Sequence, residues 1–324
     1  MRGYIIKRLL FSLPLLLGVT LITFIFIQLA PGDFLSNLKS NPQVSREVIK
    51  IYEEKFHLNE PVIKQYVIWL WHIGHFDLGY SFTYQSSVNK VITSRAFNTL
   101  ILSFSTIVFT WLCVIPLGIL AVLHRNKFID RLISFVSYIG ISTPSFFLAF
   151  IFLFFAYKTG ILPLGGMRSL RFEYLSFWGK LIDVGKHLIL PTLVLSIGSI
   201  SSLQRIMRGN LLEVLGSQYI LASRARGISE RRILYIHVLK NALNPMITIF
   251  GYQLSSLLSG AALTEIIVGW PGLGQVTLEA VRKQDIYLVM GSVLISGLLL
   301  ILGNLFADIL LAFSDPRIRY EREV

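Results

Sequence analysis

The chain has 324 residues, a formal net charge of +12 and a mean hydropathy of +0.65; 54% of residues are hydrophobic and 15% charged. Soluble proteins carry about 25% charged residues, so this composition excludes a soluble globule and a disordered chain. The lone cysteine, Cys113, excludes a disulfide scaffold.

Arg2, Lys7 and Arg8 precede an uncharged run of 22 residues, Leu9 to Ala30. That run exceeds a signal-peptide core and has no convincing cleavage site. It reads as a retained transmembrane helix, residues 1–30. Residues 31–97 form an outer, extracytoplasmic segment with two expected amphipathic helices. The first, Ser45 to Tyr52, opens on an N-cap serine. The second, Pro61 to Trp71, has Val62, Tyr66, Ile68 and Trp69 for its apolar side. Trp69 and Trp71 suit a membrane interface.

Two further uncharged runs, Asn98 to Leu123 and Leu132 to Tyr157, hold 26 residues each. About 20 residues cross the hydrocarbon core. A weaker span covers His187 to about Gln204, a fifth about Ala242 to Leu263, and a sixth Ile286 to Phe313 around Asp308. Each spanning segment must satisfy its own backbone hydrogen bonds, so all six are helices. Residues 98–313 form a five-helix core, and residues 314–324 a tail. Pro116, Gly118, Gly140, Pro144, Pro191 and Gly198 lie within spans, where they suit bending as well as ordinary membrane packing. With both termini inside, 16 of the 30 basic residues fall on the shorter inner segments. That bias follows the positive-inside rule and accounts for the net charge without nucleic acid.

The inner loop, about Arg205 to Asn241, is more than a connector. Gly216 to Gly227 has helical character, and Ser229 and Glu230 open another helix with Arg231 and Arg232 in its first turn. Basic residues there oppose the helix dipole. Either the positive-inside rule or docking of a cytoplasmic partner explains them. The outer turn Trp270-Pro271-Gly272-Leu273-Gly274 reads as a tight turn anchored by tryptophan. The chain lacks a P-loop, a G-x-S-x-G turn and an H-E-x-x-H pair. His72 and His75, with Asp77 nearby, read as an interfacial helix end rather than a metal site. Asp308 is the one charge well inside a span and reads as structural. An ion-coupled transporter or channel would need ionisable residues near the midplane, and an intramembrane enzyme a nucleophile and base; neither is present.

Tyr219 to Ser229, followed by His237 to Pro245, resembles the inner-loop signature of binding-protein-dependent ABC importer permeases in the dipeptide/oligopeptide/nickel branch. The outer turn after Glu265 and the terminal Asp315-Pro316-Arg317-Ile318-Arg319 look like the same branch. Lys7-Arg8-Leu9-Leu10, Gln28 to Asp33 and Asp77-Leu78-Gly79-Tyr80-Ser81-Phe82 are similar to its B-type subunit. The resemblance implies an all-α, six-helix, type I importer permease, N-in and C-in, in a bacterial or archaeal cytoplasmic membrane. It implies a C-type permease partner, two cytoplasmic ATPases that hold the ATP and magnesium, and an extracytoplasmic solute-binding protein. This chain itself would carry no catalytic residue or cofactor. The family's coupling helix falls on about Ser217 to Ser229, with Tyr219, Ala222, Ser223, Arg224, Ala225, Arg226 and Gly227 toward the ATPase. Trp270, Pro271, Gly272, Leu273 and Gly274 fall on the binding-protein side. The family's glutamate is absent: the signature reads Leu221-Ala222-Ser223-Arg224-Ala225-Arg226-Gly227. An uncharged path with Gln28, Gln253, serines and threonines favours peptide over nickel or another small solute.

Overall fold

The computed structural model describes residues 2–30, 47 and 59–314. The expected helix at Ser45 to Tyr52 and the tail from Asp315 lie outside the described residues. Two compact units form, one from Met1–Thr99 with Pro271–Ile301, the other from Leu100–Trp270 with Leu302–Val324.

The first unit contains α1 (Arg2–Leu29), α2 (Val62–Gly74) and a two-stranded antiparallel hairpin, β1 (Tyr80–Ser81) and β2 (Ser86–Ser87). It shares α3 (Val88–Leu123) with the other unit. The expected second span began at Asn98, where the charges end. The helix starts ten residues earlier because Lys90 and Arg95 are good helix formers whose charge does not stop a helix. The Asp77-to-Phe82 segment has a physical reason for its residues. Asp77 Oδ1 accepts the Gly79 N–H at 2.9 Å, closing a turn. Gly79 sits at φ +97, against the Tyr287 ring, so a side chain there would be both strained and crowded. Leu78 and Phe82 are buried. Ser81 donates to Asp285 Oδ2 at 2.7 Å, and the Thr83 N–H donates to the same oxygen at 2.9 Å. Asp285 is fully buried and also accepts the Leu288 N–H, so it caps the helix that follows it. That helix is α12 (Ile286–Ser314), preceded by α11 (Leu273–Arg282). Glu279 on α11 accepts from Tyr84 Oη at 2.6 Å and from Lys283 Nζ at 2.7 Å. Burial and the bond to Glu279 push the Tyr84 hydroxyl up to about 12, which keeps it a donor at any physiological pH.

The second unit contains the rest of α3, then α4 (Phe128–Ser142), α5 (Ser145–Thr159), α6 (Phe177–Leu215), α7 (Gln218–Ala225) and the single turn α8 (Glu230–Arg232). α8 runs on through a π-helical stretch, Ile233–Val238, into α9 (Leu239–Gly260), and α10 (Ala262–Val268) follows. The run Leu132 to Tyr157 is not the single straight span expected. The chain turns through 105° between α4 and α5, at a break at Thr143-Pro144. Proline lacks the amide hydrogen and disfavours helical backbone in the residue before it, and Thr143 is extended. The fourth span also differs: α6 extends from Phe177 to Leu215 instead of His187 to Gln204. Ser176 caps its start by accepting the Gly179 N–H, and Gly216 ends it. Arg205 and Arg208 therefore lie on a helix, and the loop between helices shrinks to residues around 216–229.

Four helices among the described residues are long and apolar enough to cross a bilayer, and the α4–α5 pair makes a fifth if it is one span. The fifth expected span, about Ala242 to Leu263, falls on α9, where many side chains lie outside the described residues. Phe11 on α1, Phe104 and Leu112 on α3 and Phe154 on α5 are exposed, as lipid-facing positions should be.

Arg208 forms a two-pronged ion pair with Asp130 on α4, at 2.7 and 2.8 Å, and Asp130 Oδ2 also accepts the Asn126 N–H at 3.0 Å. Asp130 is buried. Removing one partner of a buried pair costs about 3 kcal/mol or more, because the other charge is stranded. Asp130→Ala is therefore expected to lower the thermal unfolding midpoint of the purified protein clearly. Asp130→Ala with Arg208→Met should recover most of that loss.

Candidate functional site

The loop that carries the expected coupling residues is built around α7. This helix is only eight residues long, too short to hold itself in water. Tertiary contacts hold it. Ile220 is its one buried side chain, with no exposed surface. It joins a core cluster with Met207 and Leu211 of α6, Ile233, Leu234 and Val238 of the π-helical stretch, and Ala242 and Met246 of α9. Sequence reasoning passed over Ile220, since one apolar residue in a short polar helix carries no period. Asn241 Nδ2 donates to Tyr219 Oη at 2.9 Å and ties α7 to α9.

The remaining expected residues lie together on α7 and its C-terminal cap. Tyr219, Ala222, Arg224, Ala225, Arg226 and Gly227 are exposed, and Ser223 is half-buried. Leu221 is exposed beside them. Ser223 Oγ donates to the Tyr219 carbonyl, within the helix. Arg224 is not held out for a partner. It donates to both carboxylate oxygens of Glu230, at 2.7 and 3.2 Å. Glu230 stands six residues downstream of Arg224, not at the family's glutamate position. Bonding to Arg224 holds the Glu230 carboxyl below its ordinary 4.5 and raises the Arg224 guanidinium. Because the folded value is depressed, the bond contributes fully at neutral pH and is lost as pH falls through the folded value, in the acid range. Both groups are well exposed, so water screens the contribution and keeps it small.

Gly227 ends the loop helix in the left-handed region, φ +75, with open space where a side chain would stand. Its N–H bonds to the Arg224 carbonyl at 2.9 Å, and the Ile228 N–H bonds to the Ser223 carbonyl at 3.3 Å. Sterics leave the position open, but backbone strain does not. Gly227→Val should cost about 1–2 kcal/mol locally and displace the α7–α8 turn, while Gly227→Asn, which enters this region readily, should be nearly neutral. Limited proteolysis at the α7–α8 turn of the purified protein measures the difference.

The outer turn is deeply set. Trp270 has no exposed surface, and its N–H donates to the Glu265 carbonyl at 2.8 Å. Glu265 is itself buried. Asn98 Nδ2 donates to the Pro271 carbonyl, and the Leu273 N–H donates to Thr99 Oγ1, both at 2.8 Å. Gly272 and Leu273 are buried; Pro271 and Gly274 are half-buried. These residues fix a backbone more than they offer side chains.

Of the expected path residues, Gln28 donates to Gln65 at 3.0 Å, and Gln253 accepts from the Trp111 indole at 3.1 Å. A cleft of about 260 Å³ opens at the α4–α5 elbow, lined by Gly140, Thr143, Ser145, Gly198 and Ser202 among others. His72 Nδ1 lies 3.6 Å from Asp77, while His75 Nδ1 faces the Trp71 carbonyl, so the two imidazoles do not converge. Among the described residues no group of three His, Cys, Asp or Glu side chains is placed to hold a metal.

The family described as "binding-protein-dependent transport system inner membrane component" matches residues 114–320. The oligopeptide transport system permease protein AppB of Bacillus subtilis (strain 168) is 37% identical over 322 residues, covering 99% of this chain and all of that one. The dipeptide transport system permease protein DppB of Escherichia coli (strain K12) is 31% identical, again over 99% of this chain and all of the relative. Among solved structures, an inward-facing form of the MetNI methionine ABC transporter matches with a TM-score of 0.50 and 21% identity, over 68% of this chain and 96% of that one. The fold is that of a type I ABC importer permease.

Proposed function

Because the chain belongs to the family of binding-protein-dependent transport system inner membrane components, we propose that it is the B-type permease subunit of an ATP-driven importer of di- and oligopeptides. The observation that carries this reading is end-to-end likeness to peptide permeases at 31–37% identity. The exposed face of α7 supports it. ATP hydrolysis belongs to two cytoplasmic ATPase subunits that bind ATP and magnesium, and this chain supplies their docking surface. A C-type permease completes the membrane pathway, a solute-binding protein delivers cargo from outside, and the assembly sits in a bacterial or archaeal cytoplasmic membrane with both termini inside.

In this mechanism Tyr219, Leu221, Ala222 and Arg226 meet a groove of the ATPase. Small side chains at Ala222, Ala225 and Gly227 let the backbones approach closely. Closure of the ATPases moves α7, and Ile220 passes that movement into the cluster joining α6 and α9. Nucleotide shifts inward-facing and outward-facing states only through its differential affinity for them. The uncharged groups at the α4–α5 elbow suit cargo of varied side chains.

The test is uptake of labelled peptide into vesicles holding the complete complex. Uptake should require ATP, the binding protein and intact ATPase phosphate loops. Uptake that persisted with inactivated ATPases and followed an ion gradient would overturn the reading. Uptake of nickel or another small solute in place of peptide would keep the machine and replace the cargo.

A further inference from the structure

The segment after α1 holds a helix, α2, whose neighbours fix its depth. The apolar part of α1, Lys7–Leu29, is a membrane span. At 1.5 Å per residue, Thr20 lies about 14 Å inward from the Leu29 end, roughly halfway through the hydrocarbon core. Tyr66 of α2 reaches that level. Its hydroxyl donates to the Leu17 carbonyl at 3.0 Å and lies 2.9 Å from Thr20 Oγ1. The Tyr66 and Phe24 rings are 5.6 Å apart. A second helix, α12, meets α2 over its first two turns. Trp69 and Met290 share one buried cluster, with Leu70, Ile73 and Leu294 packed on it. Met290, the buried α12 member, is four residues into that helix, about 6 Å along it, and Ile286, Tyr287 and Leu294 pack on the same cluster. The tyrosine hydroxyl, satisfied on both sides, is what a dry environment demands.

The other face of α2 is apolar and open. Ile63, Val67 and Trp71, four residues apart, are 79%, 57% and 71% exposed. Gln65 to Trp71 carries no charge. Lys64 pairs with Glu60 at 2.8 Å, and its long stem lets the ammonium reach toward water. Over the same stretch α1 leaves Ile22, Ile25 and Phe26 exposed.

We propose that the middle turns of α2 are sunk into the leaflet at the Leu29 end of α1, with Ile63, Val67 and Trp71 against phospholipid acyl chains. The two tryptophans then have separate tasks: Trp69 packs inside the protein and Trp71 anchors in lipid. The occupant is lipid rather than a further protein, because the α2 stripe lies level with the lipid face of α1. This inference depends on the membrane span α1 and not on the cargo or on which side is outside.

The test uses the whole transporter complex in phosphatidylethanolamine–phosphatidylglycerol vesicles. In a Cys113→Ala background, Ile63→Cys, Val67→Cys and Trp71→Cys each carry a nitroxide. Oxygen, which concentrates in lipid, should relax all three labels severalfold more than a water-soluble nickel chelate, as at Phe26→Cys on α1. A label at Asp77→Cys should show the reverse. Preference for the chelate at positions 63, 67 and 71 would overturn the proposal, as would exclusion of both agents, which would mean that protein covers the stripe. These side chains are exposed, so the substitutions spare the core. A second readout needs no cysteine: brominated acyl chains should quench the complex less in Trp71→Phe than in the unsubstituted protein. Equal quenching in the two would count against lipid contact.

Discussion

An Ile220→Asp permease is expected to insert and assemble yet to lose peptide uptake per ATP hydrolysed by at least tenfold. The reason is local. α7 is held by one buried side chain and two exposed polar ties, Tyr219 to Asn241 and Arg224 to Glu230. An unpaired carboxylate cannot remain among Met207, Leu211, Val238 and Met246, since burying it without a partner costs several kcal/mol. The helix would leave its seat and stop passing movement onward. Ile220→Val removes only one methylene, at about 1 kcal/mol, and should keep transport near normal. The ratio of labelled peptide uptake to phosphate release in vesicles measures both. An aspartate variant with unchanged stoichiometry would show that the seat of α7 does not carry coupling.

Asp285→Ala should be the most destabilising single change in the first unit. It strands the Thr83 and Leu288 amides and the Ser81 hydroxyl at once, in a place without solvent. A buried donor left unsatisfied costs about 1–3 kcal/mol, so the total should be about 3 kcal/mol or more, allowing the serine to reorient. Asp285→Asn keeps an acceptor and should fall between. Thermal unfolding in detergent gives the order, and protease cleavage near Gln85 should rise in the alanine variant first. Equal unfolding midpoints for all three proteins would refute the capping role.

Uncharged run length was enough to place α1, α3 and α12, because the cost of charge in lipid is written directly into composition. It misplaced the start of α3 and both ends of α6. Lys90, Arg205 and Arg208 lie on helices, since charge bars a residue from the hydrocarbon but not from a helix. Pro144 was visible as a bending residue, yet a hydropathy count sees one run where the backbone makes two helices. The α7 residues were legible as a family pattern. Their support was not: Ile220 needs the π-helical stretch, and Arg224 needs Glu230 across a turn. Likewise Ser81 and Asp285 stand 204 positions apart, and no local period links them.

The elbow between α4 and α5 also settles a question of length. Each arm has 15 residues, about 22 Å of helix. Laid straight, the pair would measure about 45 Å, some 15 Å more than the thickness of the hydrocarbon core. Turned through 105°, it reaches only about 27 Å from end to end. The surplus is converted into breadth. As one crossing, the pair would fit the hydrocarbon thickness with its ends along the bilayer normal, its surplus length taken up as breadth rather than as tilt.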